Sequence, residues 1–240
     1  MDNADATTTV LCFGDSNTWG ADPETDSRHA YRDRWTTVLA AELGGEYRVI
    51  PEGLNGRTTV LEDPLDQDRA GIRMLPALLQ SHKPLNLVII MLGTNDCKTR
   101  FAMSAEEIGE GMRRLVQVVR VSGAGPQAAG RPAGEGVPSD AVAPAVMLVS
   151  PPEIRESTSF GTMFVGGREK SRALPAAFRS VCREEGVDFF HAGDAASCSE
   201  MDGIHLDAAA QRALGAALAR EVRRLVAGAA LPGSRRPPTM

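Results

Sequence analysis

Ser16 stands in Gly14-Asp15-Ser16-Asn17, directly after an apolar run. A serine hydroxyl attacks a carbonyl carbon only where a base takes its proton and a third group orients that base. The chain has four histidines to choose from: His29, His82, His191 and His205. His29 falls in a polar loop, His82 closes a helix, where a cation favours the carbonyl ends, and His191 follows a strand as an ordinary partly buried residue. His205 comes three residues after Asp202, on a turn containing Gly203, so one loop can present both an imidazole and a carboxylate. The same Asp-x-x-His suits a helix-entry turn, with Asp207 as its N-cap. A tetrahedral intermediate also needs donors for its oxyanion. Gly56 can bring a backbone N–H close to a ligand, and the Asn95 amide can donate a second bond. The alternative readings are turn geometry at Gly53 and Gly56 and a cap at Asn95. Asp15 adjoins Ser16, but neighbours on a turn point apart, which favours a loop-stabilising role. Trp19 lies past the strand end and is read as pocket wall in preference to core.

Other chemistries lack their signatures. There is no G-x-S-x-G elbow, no phosphate-binding G-x-x-x-x-G-K-[ST], no G-x-G-x-x-G after a strand and no H-E-x-x-H. A metal set of His191, Asp194, Asp202 and His205 has no recognised spacing, and the four cysteines show no CxxC.

These residues need elements to bring them together. Val10 to Phe13 reads as a buried strand that delivers Ser16 onto a turn, followed by a polar loop from Ala21 to Asp33. Arg34 to Leu43 has one apolar helical face and ends at Gly44-Gly45. Tyr47 to Ile50 is a short strand closed by Pro51, and Ala70 to His82 returns to helix. Leu85 to Leu92 is apolar at nearly every position, as expected of a parallel strand covered on both faces. Ser104 and Glu107 form a capping box for a helix reaching about Val121. Residues 122–145, dominated by Gly, Ala and Pro, read as a surface insertion. Ala145 to Val149 is the next strand, Gly166 to Glu185 mostly helix, Val187 to Phe190 the last strand, and Asp207 to Val226 a terminal helix. Residues 1–8 are expected to be flexible, 9–228 to form one domain, and 229–240 to be a disordered tail. Five strand signals alternating with helices predict a doubly wound parallel sheet. In the flavodoxin-like order 2-1-3-4-5, strands one and three flank the switch point, so Ser16 and Asn95 face one crevice.

Size and charge agree with a single α/β domain. At 240 residues the chain can bury a substantial core, and a net charge of −5 argues against nucleic-acid binding. No apolar run approaches the roughly 18 residues of a membrane span, and the acidic start lacks the positive charge and apolar core of a signal peptide. A cytoplasmic protein without membrane attachment is expected.

Gly14-Asp15-Ser16, Gly56, Gly93-Thr94-Asn95-Asp96 and Asp202-Gly203-Ile204-His205 resemble, in order, the four blocks of the SGNH (GDSL-type) hydrolase superfamily. Longer stretches, LCFGDSNTWG, EGLNGRTT, LVIIMLGTND and VSPP, resemble its bacterial arylesterase and acyltransferase branch. The resemblance implies Ser16 as nucleophile, His205 as general base and acid, and Asp202 as orienting carboxylate. It implies an oxyanion hole from the N–H groups of Ser16 and Gly56 with the Asn95 side chain, and a pocket lined by Asn17, Trp19 and Thr94. It further implies a three-layer α/β/α sandwich, no cofactor, a small-molecule ester substrate and a homo-oligomer. Asn17 stands where the family name has leucine, a departure expected to alter the pocket. The expected activity is hydrolysis of short-acyl and aryl esters, with acyl transfer to alcohols as its close relative. A carbohydrate acetylesterase, a lysophospholipase of the same superfamily and a non-catalytic binding module are the alternatives.

Overall fold

The strongest strand of the sequence lies at the centre of the sheet. The computed structural model describes residues 7–25, 27–126, 143–155, 159–160 and 162–229. Five parallel strands, β1 (Thr8–Gly14), β4 (Tyr47–Gly53), β5 (Leu87–Met91), β6 (Ala145–Ser150) and β7 (Asp188–His191), lie in the order β4-β1-β5-β6-β7. This is the flavodoxin-like order expected. Alternation along each strand feeds two apolar layers. Leu11, Phe13, Val88, Ile90 and Leu148 pack under α3 (Gly71–His82), α4 (Ala105–Arg120) and α5 (Gly167–Glu185). Val10, Cys12, Ile89, Met91 and Val149 pack under α2 (Trp35–Leu43) and α6 (Ala208–Ala229). Three layers result.

Several local readings hold in detail. Ser104 accepts from the Glu107 N–H while the Glu107 carboxylate accepts from the Ser104 N–H, a reciprocal cap on α4. Asp207 Oδ1 accepts from the Ala210 N–H at 2.8 Å at the start of α6. Others are corrected. Pro51 does not close its strand: β4 runs on to Gly53 with Pro51 opposite Cys12. β4 is an edge strand, where the N–H a proline lacks can be one that would face away from the ladder. The polar loop holds a small antiparallel ribbon, β2 (Ala21–Asp22) with β3 (Ser27–Arg28), too short to show a period. Thr8 already belongs to β1, so the flexible start expected at 1–8 is too long by that residue. Residues 1–6, the tail beyond 229 and most of the insertion, 127–142, lie outside the described residues; Ala124 at the insertion's start is buried and accepts from the Leu85 N–H. Among the described residues no helix is long and apolar enough to cross a membrane.

The element that carries Ser16 is a single helical turn, α1 (Ser16–Trp19), seated on the end of β4. Gly53 makes this approach possible: a Cβ there would lie 2.1 Å from the Trp19 nitrogen and 2.5 Å from the Thr18 carbonyl carbon. We expect Gly53→Ala to destabilise the fold by about 1–3 kcal/mol, an overpacking cost. A lower urea midpoint at unchanged m-value checks this.

Candidate active site

Each strand end contributes one loop, and the loops meet over the carboxyl edge of β1 and β5. Asp15 caps α1, its Oδ1 accepting from the Asn17 N–H at 3.0 Å, and this turn presents Ser16. The Asp202 carboxylate folds its own loop: Oδ1 accepts from the N–H groups of Ile204 and His205, both at 2.9 Å. Its Oδ2 lies 2.6 Å from His205 Nδ1, and His205 Nε2 lies 2.9 Å from Ser16 Oγ. A carboxylate only accepts, so Nδ1 carries the proton and Nε2 is left to accept from the serine hydroxyl. Burial alone would raise the Asp202 carboxyl, but the His205 side chain and the backbone N–H groups of His205 and Ile204 hold it below the ordinary carboxylate value. The orienting group is therefore ionised in the neutral range.

The opposite side carries donors. Gly56 has φ of +78°, a left-handed conformation that suits glycine, and lines the same cleft as Ser16 and Asn95. Asn95 Nδ2 spends one N–H on the Arg57 carbonyl at 3.0 Å and has a second to offer. Ser16 opens α1, where a helix leaves its first N–H groups without intrahelical acceptors. The arrangement can move a proton from Ser16 to His205 and receive an oxyanion.

Ser16, Asp202, His205, Gly56, Asn95 and Trp19 line one cleft of about 700 Å³. Two expected pocket residues do not. Thr94 is buried and absent from that lining. Asn17 is buried too, and its departure from leucine serves another purpose. Its Nδ2 donates to the Ile204 carbonyl at 3.2 Å and its Oδ1 accepts from the Leu206 N–H at 3.0 Å, one bond on either side of His205. His29, in the polar loop as expected, is nevertheless buried and donates from Nε2 to the Leu206 carbonyl at 2.8 Å. The metal set is not assembled: His191 Nδ1 pairs with the Ser150 hydroxyl at 2.8 Å while Asp202 is held by His205.

Other supporting groups gave no local signal. Arg57, set among glycines and threonines, is buried; its guanidinium lies 4.2 Å from the centre of the Phe13 ring and donates to the carbonyls of Gly14 (2.7 Å) and Glu52 (2.5 Å). Asp96 accepts from the Thr59 N–H at 2.9 Å and from its hydroxyl at 2.5 Å. The Phe160 ring meets His205 edge-on at 6.0 Å; only the aromatic and Met cluster of its loop hinted at a cleft wall.

A parallel sheet of this order, with a Ser–His–Asp line at its switch point, has the architecture of the SGNH hydrolases. Residues 12–213 match the model of the GDSL-like Lipase/Acylhydrolase family, and the chain belongs to that family. Solved structures agree. A carbohydrate acetylesterase from Sinorhizobium meliloti is 43% identical at TM-score 0.82, with 91% of this chain and 99% of that one covered. The native M. smegmatis aryl esterase is 42% identical at TM-score 0.82, with the same 91% and 99% coverage. No curated protein sequence matches the chain. The protein is a carboxylic ester hydrolase.

We expect Asn17→Leu to lower kcat with little change in KM, because the base loop loses two bonds without loss of cleft wall; steady-state kinetics on a p-nitrophenyl ester separate the two parameters. A second outcome concerns pH. Burial pushes the Asp15 carboxyl up to about 6, against the Asn17 N–H and the attraction of His205. An acid raised on folding costs stability once ionised. Wild type should therefore lose stability relative to Asp15→Asn as pH rises from about 4, the ordinary carboxylate value, to about 6. Above that the difference should level off, as urea midpoints across this range would show.

Proposed function

We propose that the protein is a serine esterase for short-acyl carboxylic esters, aryl esters among them. The observation that carries this reading is the Asp202–His205–Ser16 line, with contacts of 2.6 and 2.9 Å, facing Gly56 and Asn95 across one cleft. Ser16 Oγ attacks the ester carbonyl carbon as His205 Nε2 takes its proton. The N–H groups of Ser16 and Gly56 and the Asn95 amide hold the oxyanion. On collapse His205 returns the proton to the leaving alcohol, and an acyl-enzyme remains on Ser16. Water, activated by His205, then releases the acid. If an alcohol takes the place of water, a new ester leaves and the enzyme acts as an acyltransferase.

Trp19, Phe160 and Phe164 give the cleft aromatic walls that suit a planar leaving group, in keeping with the likeness to an aryl esterase. Acetylated sugars are a second reading. It draws on the likeness to a carbohydrate acetylesterase and on the polar lining of Asp22, Ser27 and Asn55.

Ser16→Ala should abolish hydrolysis of p-nitrophenyl acetate and labelling by a fluorophosphonate probe. Asn95→Ala should lower kcat by about 100- to 1,000-fold, the usual effect of losing one oxyanion donor. Equal rates for wild type and Ser16→Ala would overturn the serine mechanism.

A further inference from the structure

The cleft contains a buried cation that the proton transfer above does not use. Lys98, three residues beyond Asn95, lines the cleft and is only 6% exposed. Its Nζ lies 3.2 Å from Asp63 Oδ2, while Arg100 Nε lies 3.3 Å from Asp63 Oδ1. Two cations thus share one carboxylate, whose side chain is fully buried, and one positive charge is left over. Asp63 is the one acceptor of the Lys98 ammonium among the described residues, and an ammonium has three N–H bonds. Desolvated charge of this kind is costly unless an anion or acceptor meets it. Asp22, on the β2–β3 ribbon, also lines the cleft, and hydrogen bonds from Glu24 and Thr25 hold its carboxyl below the ordinary value. The cleft therefore carries a cation at Lys98 and anions at Asp22 and, beside His205, Asp202. A second groove, of about 600 Å³, shares Phe160 and Met163 with the cleft and is lined by Arg100. A substituent directed past Phe160 and Met163 has both space and a further cation ahead of it.

We infer that the cleft selects esters carrying a carboxylate away from the reacting carbonyl, and that this carboxylate binds at Lys98. The inference rests on the esterase reading above. The anion can belong to the alcohol or to the acyl group, so the test has two arms. One compares meta-carboxyphenyl acetate with meta-methylphenyl acetate. The other compares p-nitrophenyl hemisuccinate with p-nitrophenyl butyrate. In at least one arm, at low salt, wild type should favour the anionic ester by about tenfold in kcat/KM, through a lower KM, and the ratio should shrink as salt is added. Lys98→Gln should bring that ratio close to one, and Lys98→Arg should restore most of it. The wild-type ratio and its salt response need no variant, so a Lys98→Gln protein that fails to fold does not leave the matter open. Equal kcat/KM in both arms, or a preference unchanged in folded Lys98→Gln, overturns the inference and leaves the esterase reading standing. No hydrolysis of any of these esters removes both.

Discussion

The amide of Asn17 reaches from the turn that carries Ser16 to the peptide groups on either side of His205. The placement of Ser16 against His205 rests on that crossing. Ser16 and His205 come from opposite ends of the chain, and no secondary structure pairs their two loops. Asn17 supplies a donor and an acceptor at once, so the loops are held together as two adjacent strands would be. Gln211 reinforces the arrangement from α6, donating to the Asn17 carbonyl at 3.0 Å and accepting from the Trp35 N–H at 2.9 Å. His29 fixes the far side through the Leu206 carbonyl. A neutral buried hydrogen bond contributes on the order of 1 kcal/mol net, but an orphaned buried partner costs about 1–3 kcal/mol. The clamp is therefore hard to open one bond at a time.

The same logic joins the other two loops. Arg57 binds the ends of β1 and β4, the Asn95 amide binds the Arg57 carbonyl, and Asp96 binds Thr59. Two of these groups are ionisable and buried, and burial acts on each in the expected sense. It pushes the Arg57 guanidinium down to about 10 and the Asp96 carboxyl up. Geometry at the reacting atoms is obtained at the expense of desolvated charge beneath them.

Much of this architecture was legible in the chain. Leu85 to Leu92 read as a strand covered on both faces because it is, and the capping box at Ser104 lies within four consecutive residues. The four blocks named the groups that meet at the cleft. Contacts that depend on distant partners were not legible. Asn17 was expected in the pocket from the family resemblance, yet its partners lie 187 and 189 residues away. His29 read only as a polar-loop residue, and Arg57 drew no reading at all, for the same reason: a buried polar residue cannot be told from an exposed one until its partner is found. Pro51 misled because proline forbids a ladder bond only on the side that has a neighbour, and strand order decides that side.

The bonds that fix Ser16, His205 and Asn95 run among Asn17, His29, Arg57 and Asp96, whereas much of the cleft wall comes from elsewhere. Trp19, the β2–β3 ribbon and the segment bearing Phe160, Met163 and Phe164 shape the space a substrate occupies. The bonds that position these groups and the walls of the cleft are thus supplied by largely separate sets of residues. The ribbon and the Phe160 segment can therefore be altered without touching the bonds that hold Ser16, His205 and Asn95 in place. For protein engineers the same partition marks those two segments as the ground for library design, and the clamp as the part to leave alone.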